Sequence, residues 1–217
     1  YIIDAAVRDE TAVLQRLARD PHVKAAPDTS YHLLARAPAG LAERPLVVGF
    51  GPCGLFASLL LAQMGFRPIV LERGRTVRQR TQDTWGLWRK KVLQPESNVQ
   101  FGEGGAGTFS DGKLYSQIRD PRHLGRKVMQ EFVAAGAPPE ILYEAHPHIG
   151  TFKLVKVVES IREQIVALGG EIRFEQRVTD LLTDADASGS VSLLASASAL
   201  PSRPSRRKWV NTPWPNF

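Results

Sequence analysis

Between residues 45 and 72 of this 217-residue chain, a strand, a tight glycine turn, a helix and a second strand follow one another without a break. RPLVVGF is a short continuous apolar run, the pattern of a parallel strand covered on both faces. GPCG reads as a turn, LFASLLLAQMGF is helical and apolar almost all round, and RPIVLE is a second buried strand. Two parallel strands joined through a helix make a right-handed βαβ unit. That unit commits the chain to an α/β architecture with helices against a parallel sheet.

The turn itself reads Gly49-Phe50-Gly51-Pro52-Cys53-Gly54, which satisfies G-x-G-x-x-G, and the second strand ends in Glu72. A lone match of this kind is weak, but a match between a strand and a helix, with an acidic residue closing the next strand, is a dinucleotide-binding fingerprint. Gly49 permits the tight turn, Gly51 lets the backbone approach a pyrophosphate, and Gly54 lets the helix pack closely on the sheet. The helix start offers free N–H groups and the positive end of its dipole to phosphate. Glu72 is placed to accept hydrogen bonds from the adenosine ribose hydroxyls.

Composition narrows the alternatives. No run of about 18 apolar residues occurs, so no spanning helix is expected. The single cysteine, Cys53, excludes an internal disulfide framework and agrees with a cytoplasmic protein. The formal net charge of +6 suggests a polyanion partner, yet half of it comes from Arg203, Arg206, Arg207 and Lys208 against Asp186 near the carboxyl end. The remainder is nearly balanced, so neither nucleic acid nor a membrane is an expected partner.

Around the βαβ unit the chain divides by pattern. Residues 1–24 read as a strand, YIIDAAV, then a helix capped by Asp9, and are expected to end a small amino-terminal α+β domain. Residues 25–44, with Pro27, Pro38 and Gly40, read as a linker. Residues 45–184 form the Rossmann-like domain. Within it a basic and aromatic helix occupies TVRQRTQDTWGLWRKKVL, and Asp120 with Pro121 opens another. A third helix carries Leu154, Val158, Ile161, Ile165 and Leu168 on one face. EIRFEQ follows as a half-buried strand that RVTDLLT continues or flanks. Residues 185–217, rich in Ser, Ala, Pro and Arg, show no sustained period and are expected to form a disordered tail.

A second glycine cluster, FGEGGAGTFSDGKLYSQ, spans Phe101–Gln117. Its interleaved Phe101, Phe109, Leu114 and Tyr115 argue against a solvated linker and for a loop shaped to a ligand. Gly104, Gly105 and Gly107 can expose backbone N–H groups, Thr108 and Ser110 add hydroxyls, and Asp111 and Lys113 add charges.

Together GFGPCG, LERG, this loop and GAPPEILYEAHPHIGTFKLV resemble the predicted FAD-dependent dehydrogenases once described as NAD(FAD)-utilizing, within the two-dinucleotide-binding-domain flavoproteins. The resemblance covers about residues 40–183. It implies a Rossmann-like FAD/NAD(P)-binding domain, FAD as cofactor, NAD(P)H as a donor in a longer parent, and an oxidoreductase role on an unassigned small-molecule substrate. The cofactor-binding set it implies is Gly49, Gly51, Pro52, Cys53, Gly54, Glu72, Arg73, Gly104, Gly105, Ala106, Gly107, Thr108, Ser110, Asp111, Lys113 and Val178, the last through the strand that receives the adenine. The family's returning A-T-G strand and second domain have no counterpart after residue 183. The domain is therefore expected to be incomplete and the chain to be an amino-terminal fragment with weak or no activity alone. Other readings of the same residues are an NAD-dependent Rossmann dehydrogenase, a flavin-dependent tRNA-modifying protein and a non-catalytic remnant.

Several residues invite chemistry but have plainer explanations. Cys53 has no C-x-x-C partner and is expected to be a small buried residue of the turn. His146 and His148 lack further ligands at metal spacing, so no metal site is expected. Trp85 and Trp88 are expected in the core, and Arg78, Arg80, Arg89, Lys90 and Lys91 on a solvated helix face. No acid, base or nucleophile stands out.

Overall fold

The computed structural model describes residues 2–183 and 191–197. Its centre is a three-stranded parallel sheet of β1 (Leu46–Val48), β2 (Ile69–Leu71) and β3 (Glu171–Arg173), in the order β1-β2-β3. Leu46 sits opposite Ile69 and Val48 opposite Leu71, while Ile69 and Leu71 face Glu171 and Arg173 on the other side. Helix α2 (Pro52–Gln63) connects β1 to β2. This is a Rossmann-like α/β arrangement, a parallel sheet with its strands joined through helices.

β2 is the middle strand, and all three of its residues are buried, which accounts for its unbroken apolar sequence. One layer above it, α2 packs against α5 (Thr151–Ala167), the long helix that leads into β3. Leu55, Leu59 and Ala62 of α2 meet Leu154, Val158, Ile161 and Ile165 of α5 in one cluster with Phe50 and Val70. Each of these side chains larger than alanine contributes about 1.5–3 kcal/mol when fully buried. The predicted stripe on α5 forms as expected up to Ile165; Leu168 lies past the helix end and is half exposed.

Helix α3 (Val77–Lys90) follows β2, and its buried face is Val77, Arg80 and Thr84. Trp85 and Trp88 do not enter the core: they are 45% and 55% exposed and meet edge to face on the outer side of the helix. Helix α4 (Leu124–Ala134) starts three residues later than Asp120 and Pro121 predict. His123 adopts a left-handed conformation, and Asp120 still caps the helix by accepting from the Leu124 and Gly125 amides. Pro121 lies in the preceding turn and is not the first helical residue.

The amino-terminal segment forms α1 (Glu10–Arg16), with Asp9 accepting from the Ala12 amide at 2.9 Å. The strand expected at YIIDAAV is not formed over residues 2–7. Ile2 and Ile3 stand 99% and 82% exposed, and an extended segment without a neighbour to share its backbone hydrogen bonds is not a strand. β4 (Gln176–Thr183) leaves the parallel sheet after Glu175, whose positive φ turns the chain. It pairs antiparallel with β5 (Val191–Ala197). The latter lies within the expected tail, where a Ser/Ala run with little local preference gains its ladder from a strand already present. The rest of that tail, 185–190 and 198–217, lies outside the described residues. Among the described residues no helix is long and apolar enough to cross a membrane.

One glycine is indispensable to the layer packing. A Cβ on Gly54 would lie 1.9 Å from the Gly49 carbonyl oxygen, so the start of α2 can approach β1 only without a side chain there. Gly54→Ala is expected to lower the stability by about 2–3 kcal/mol, as overpacking does, read from the midpoint of urea unfolding. An unchanged midpoint would contradict the close approach.

Candidate functional site: a cleft over the glycine turn

At the carboxyl end of β1 the chain turns through Gly49, whose φ of +88° suits glycine, and enters α2 at Gly51. No side chain caps α2, so the free N–H groups of its first turn face outward unclaimed by a capping oxygen. A cleft of about 400 Å3 opens beside them. Gly49 and Gly51 form one wall, Glu72 and Arg73 the end of β2, Phe101, Gly102 and Gly105 the glycine-rich loop, and Gln176 to Val178 the start of β4. Residues far apart in sequence, Gly51, Glu72, Gly105 and Val178 among them, thus share one concavity.

Glu72 is buried, and both carboxylate oxygens already accept backbone hydrogen bonds at 2.7 Å, Oε2 from Phe50 and Oε1 from Gly74. The carboxylate therefore locks the glycine turn to the end of β2 while lining the cleft. Arg73 pairs with Glu96 and stacks over the Phe101 ring at 3.7 Å. Glu96 also accepts from Arg177, so one carboxylate joins the end of β2 to β4 across the cleft's rim.

The glycine-rich loop is held from behind by Arg80, which is wholly buried. Its Nε donates to the Asn98 carbonyl at 2.7 Å, Nη2 to Val99 at 2.6 Å, and Nη1 to Glu103 at 2.8 Å and Gly105 at 2.7 Å. The guanidinium lies 4.8 Å from the centre of the Phe109 ring. Burial lowers its pKa to about 10, against the raising influence of Glu72 and Glu103, so it stays charged at neutral pH. The expectation of a solvated basic face is thus wrong for Arg80. Arg78 does follow it and pairs with Glu159 at the surface.

Glu103 is the loop's own anchor. Fully buried, it accepts from the Val77 amide at 2.6 Å, at the start of α3, and from Arg162 of α5 at 2.7 and 3.0 Å. Burial pushes its carboxyl up to about 7, against the opposing pull of the Val77 N–H and Arg162.

The other sequence candidates take varied places. The Gly104 amide donates to the Phe50 carbonyl at 2.8 Å and the Gly105 amide to Gly102, so these two bring the loop close and do not offer free donors. Gly105 meets the turn directly: a Cβ there would lie 2.9 Å from Pro52 Cδ. Thr108 is buried beside Arg80 with its hydroxyl turned to the Glu103 carbonyl, while Ala106 and Gly107 are exposed next to the turn. Ser110 Oγ donates to the Gly107 carbonyl. Asp111 and Lys113 form an exposed pair at 3.6 Å, in a short ribbon where Lys113 bridges His148. Cys53 is exposed, contrary to expectation, because in the first turn of α2 it is Gly54 and Leu55 that face the sheet and core. Among the described residues no group of three or more His, Cys, Asp or Glu could hold a metal ion.

Arg80, Glu96 and Glu103 were not singled out by sequence reasoning as parts of the site. The signal for Arg80 is its spacing: Val77, Arg80 and Thr84 recur at three and four, the period of a buried helix face.

Two outcomes follow from the buried charges. Arg80→Met is expected to cost about 3–5 kcal/mol in urea unfolding, because it strands the buried carbonyls and Glu103, whereas Arg78→Met on the solvent side leaves the midpoint nearly unchanged. For Glu103 the folded pKa lies above the usual 4.5, so between pH 4.5 and about 7 the native state keeps a proton that the unfolded chain has lost. Stability is therefore greatest below that window and falls as pH rises through it. Melting temperatures across pH 5–8 should show this slope, and Glu103→Gln should flatten it.

No family model matches the chain. An uncharacterized protein of Clostridium beijerinckii is 53% identical over 135 residues, covering 62% of this chain and 25% of that protein. The chain thus spans about a quarter of the length of this relative. Among solved structures, Thermovibrio ammonificans THI4 superposes with a TM-score of 0.47 at 18% identity, covering 78% of this chain and 54% of that one. The 3-ketosteroid-Δ4-(5α)-dehydrogenase of Rhodococcus jostii RHA1 does so with a TM-score of 0.43 at 15% identity, covering 75% and 44%. For the bacillithiol disulfide reductase Bdr of Bacillus cereus the TM-score is 0.36 at 16% identity, with 72% and 34% covered.

Proposed function

We propose that this chain is the FAD-binding part of a flavin-dependent oxidoreductase, a dehydrogenase or reductase of unassigned substrate, whose activity needs polypeptide beyond the described domain. The observation that carries the reading is the shared cleft: an uncapped helix start behind Gly51, an acidic residue at the end of β2, the glycine-rich loop and Val178 surround one cavity. In this reading the turn from Gly49 to Gly54 and the first amides of α2 hold the diphosphate. Glu72 faces the adenosine ribose, Val178 the adenine, and the loop beyond Gly105 the part of the cofactor nearer the flavin.

The cradle fits such a group. A Cβ on Gly51 would meet nothing of the protein nearer than the Gly105 Cα at 3.8 Å, so the fold itself does not require glycine there, whereas a ligand lying against the backbone would. FAD, when bound, would supply the redox chemistry, with NAD(P)H as a donor in the longer parent. The chain's own residues bind and orient. Glu72 fixes the turn through the Phe50 amide, Arg80 fixes the loop, and Arg73 on Phe101 walls the adenosine end from water.

Purified protein mixed with FAD is expected to quench flavin fluorescence and to retain a yellow absorbance near 450 nm, a usual flavin band of about that wavelength, after desalting. Gly51→Ala should lose this binding while melting at the same temperature. Failure of the wild type to take up FAD would overturn the reading, and preferential binding of NAD in the same titration would replace it with a nicotinamide-dependent dehydrogenase.

A further inference from the structure

The glycine-rich wall of the cleft is set by a chain of contacts that begins on α5, a helix that does not line the cleft. Arg162 stands in the fourth turn of α5, with its side chain 22% exposed, and its Nη1 reaches both oxygens of the wholly buried Glu103. Glu103 in turn accepts from the Val77 amide, so the carboxylate is gripped by two helices at once. The next residue, Gly104, donates to the Phe50 carbonyl inside the phosphate-binding turn. Gly105 then rests so close to Gly51 that a Cβ would come within 3.1 Å of the Gly51 Cα. Moving Glu103 therefore moves Gly105 relative to Gly51, at the end of the cleft over the start of α2. Glu72, at the other end, shares Phe50 with the loop, accepting from its amide, but has a second anchor of its own in the Gly74 amide.

The geometry points to Arg162 as a positioning residue for the cleft, acting through Glu103 to set the distance between the glycine-rich loop and the phosphate turn, and hence to govern affinity for the diphosphate part of a dinucleotide but not for its adenosine part. The inference rests on the dinucleotide reading above. Arg162 touches no part of the cleft itself, and its role lies in where it holds Gly104 and Gly105. A planar guanidinium suits this task because one nitrogen engages both carboxylate oxygens in a fixed direction, which an ammonium on a flexible stem does less well. Unlike Arg80, it is partly exposed and can be replaced without leaving a buried cavity full of unpaired carbonyls.

The test compares wild type, Arg162→Met, Arg162→Lys and Glu103→Gln by calorimetric titration with FAD, ADP and adenosine. Arg162→Met is expected to weaken FAD and ADP about tenfold, the size of one hydrogen bond to a charged group, and to leave adenosine unchanged. Arg162→Lys should recover most of the loss, and Glu103→Gln should reproduce the split should Arg162→Met fail to fold. Equal weakening of all three ligands would mark a general loss of structure and overturn the inference, as would unchanged binding of FAD and ADP. If the wild type binds adenosine and ADP alike, the cleft has no diphosphate end and the inference falls while a nucleoside site stands. If it binds none of the three, the dinucleotide reading falls first and takes the inference with it.

Discussion

A single guanidinium, that of Arg80, organises the part of the molecule that has no regular structure. The segment from Asn98 to Gly105 has few side chains able to pack, and glycine-dense chain is costly to order. Four of its carbonyls instead converge on one buried cation. The charge is tolerable because each of the three guanidinium nitrogens finds an oxygen and because Glu72 and Glu103 lie near enough to favour it. The loop is thus a polar core in miniature, held by hydrogen bonds where the α2–α5 layer is held by apolar contact.

That division of labour explains the cleft. One side is rigid because β1, β2 and α2 are welded through Gly54 and Glu72. The facing side would be free to wander were it not tied to α3 through Val77 and to α5 through Arg162. The loop's glycines then serve approach more than flexibility. Gly104 and Gly105 are glycines because Thr108, Pro52 and Gly51 leave no room for a Cβ, not because the segment must move.

The βαβ unit was legible in the sequence because its determinants are local: two apolar runs, a glycine turn and a spacing of about twenty residues to an acid. Glu72, Gly105 and Val178 could be gathered into one site only through a resemblance, and the structure brings them together. Arg80 was illegible because a cation in a helix rich in Arg and Lys has the look of solvent exposure, while its partners lie 18 to 25 residues onward in a loop whose path no pattern specifies. Trp85 and Trp88 misled in the opposite sense, since large aromatics belong inside on average but these two cover each other, with Arg89 over Trp85, on the outer side of α3. Asp120 was half legible: it does cap a helix, but from four residues away, with the Pro121 turn between.

The order β3-β2-β1 leaves the outer edge of β1 without a partner among the described residues, and Val48 on it is 56% exposed. Such an edge is the kind of surface on which an extended chain pairs, through its outward carbonyl and N–H groups. This strand bears the glycine turn at its end, so whatever docks along it also meets the mouth of the cleft. Leu46 to Val48 thus pair on the β2 side alone, and their open edge runs up to the cleft that Val48 and Gly49 line.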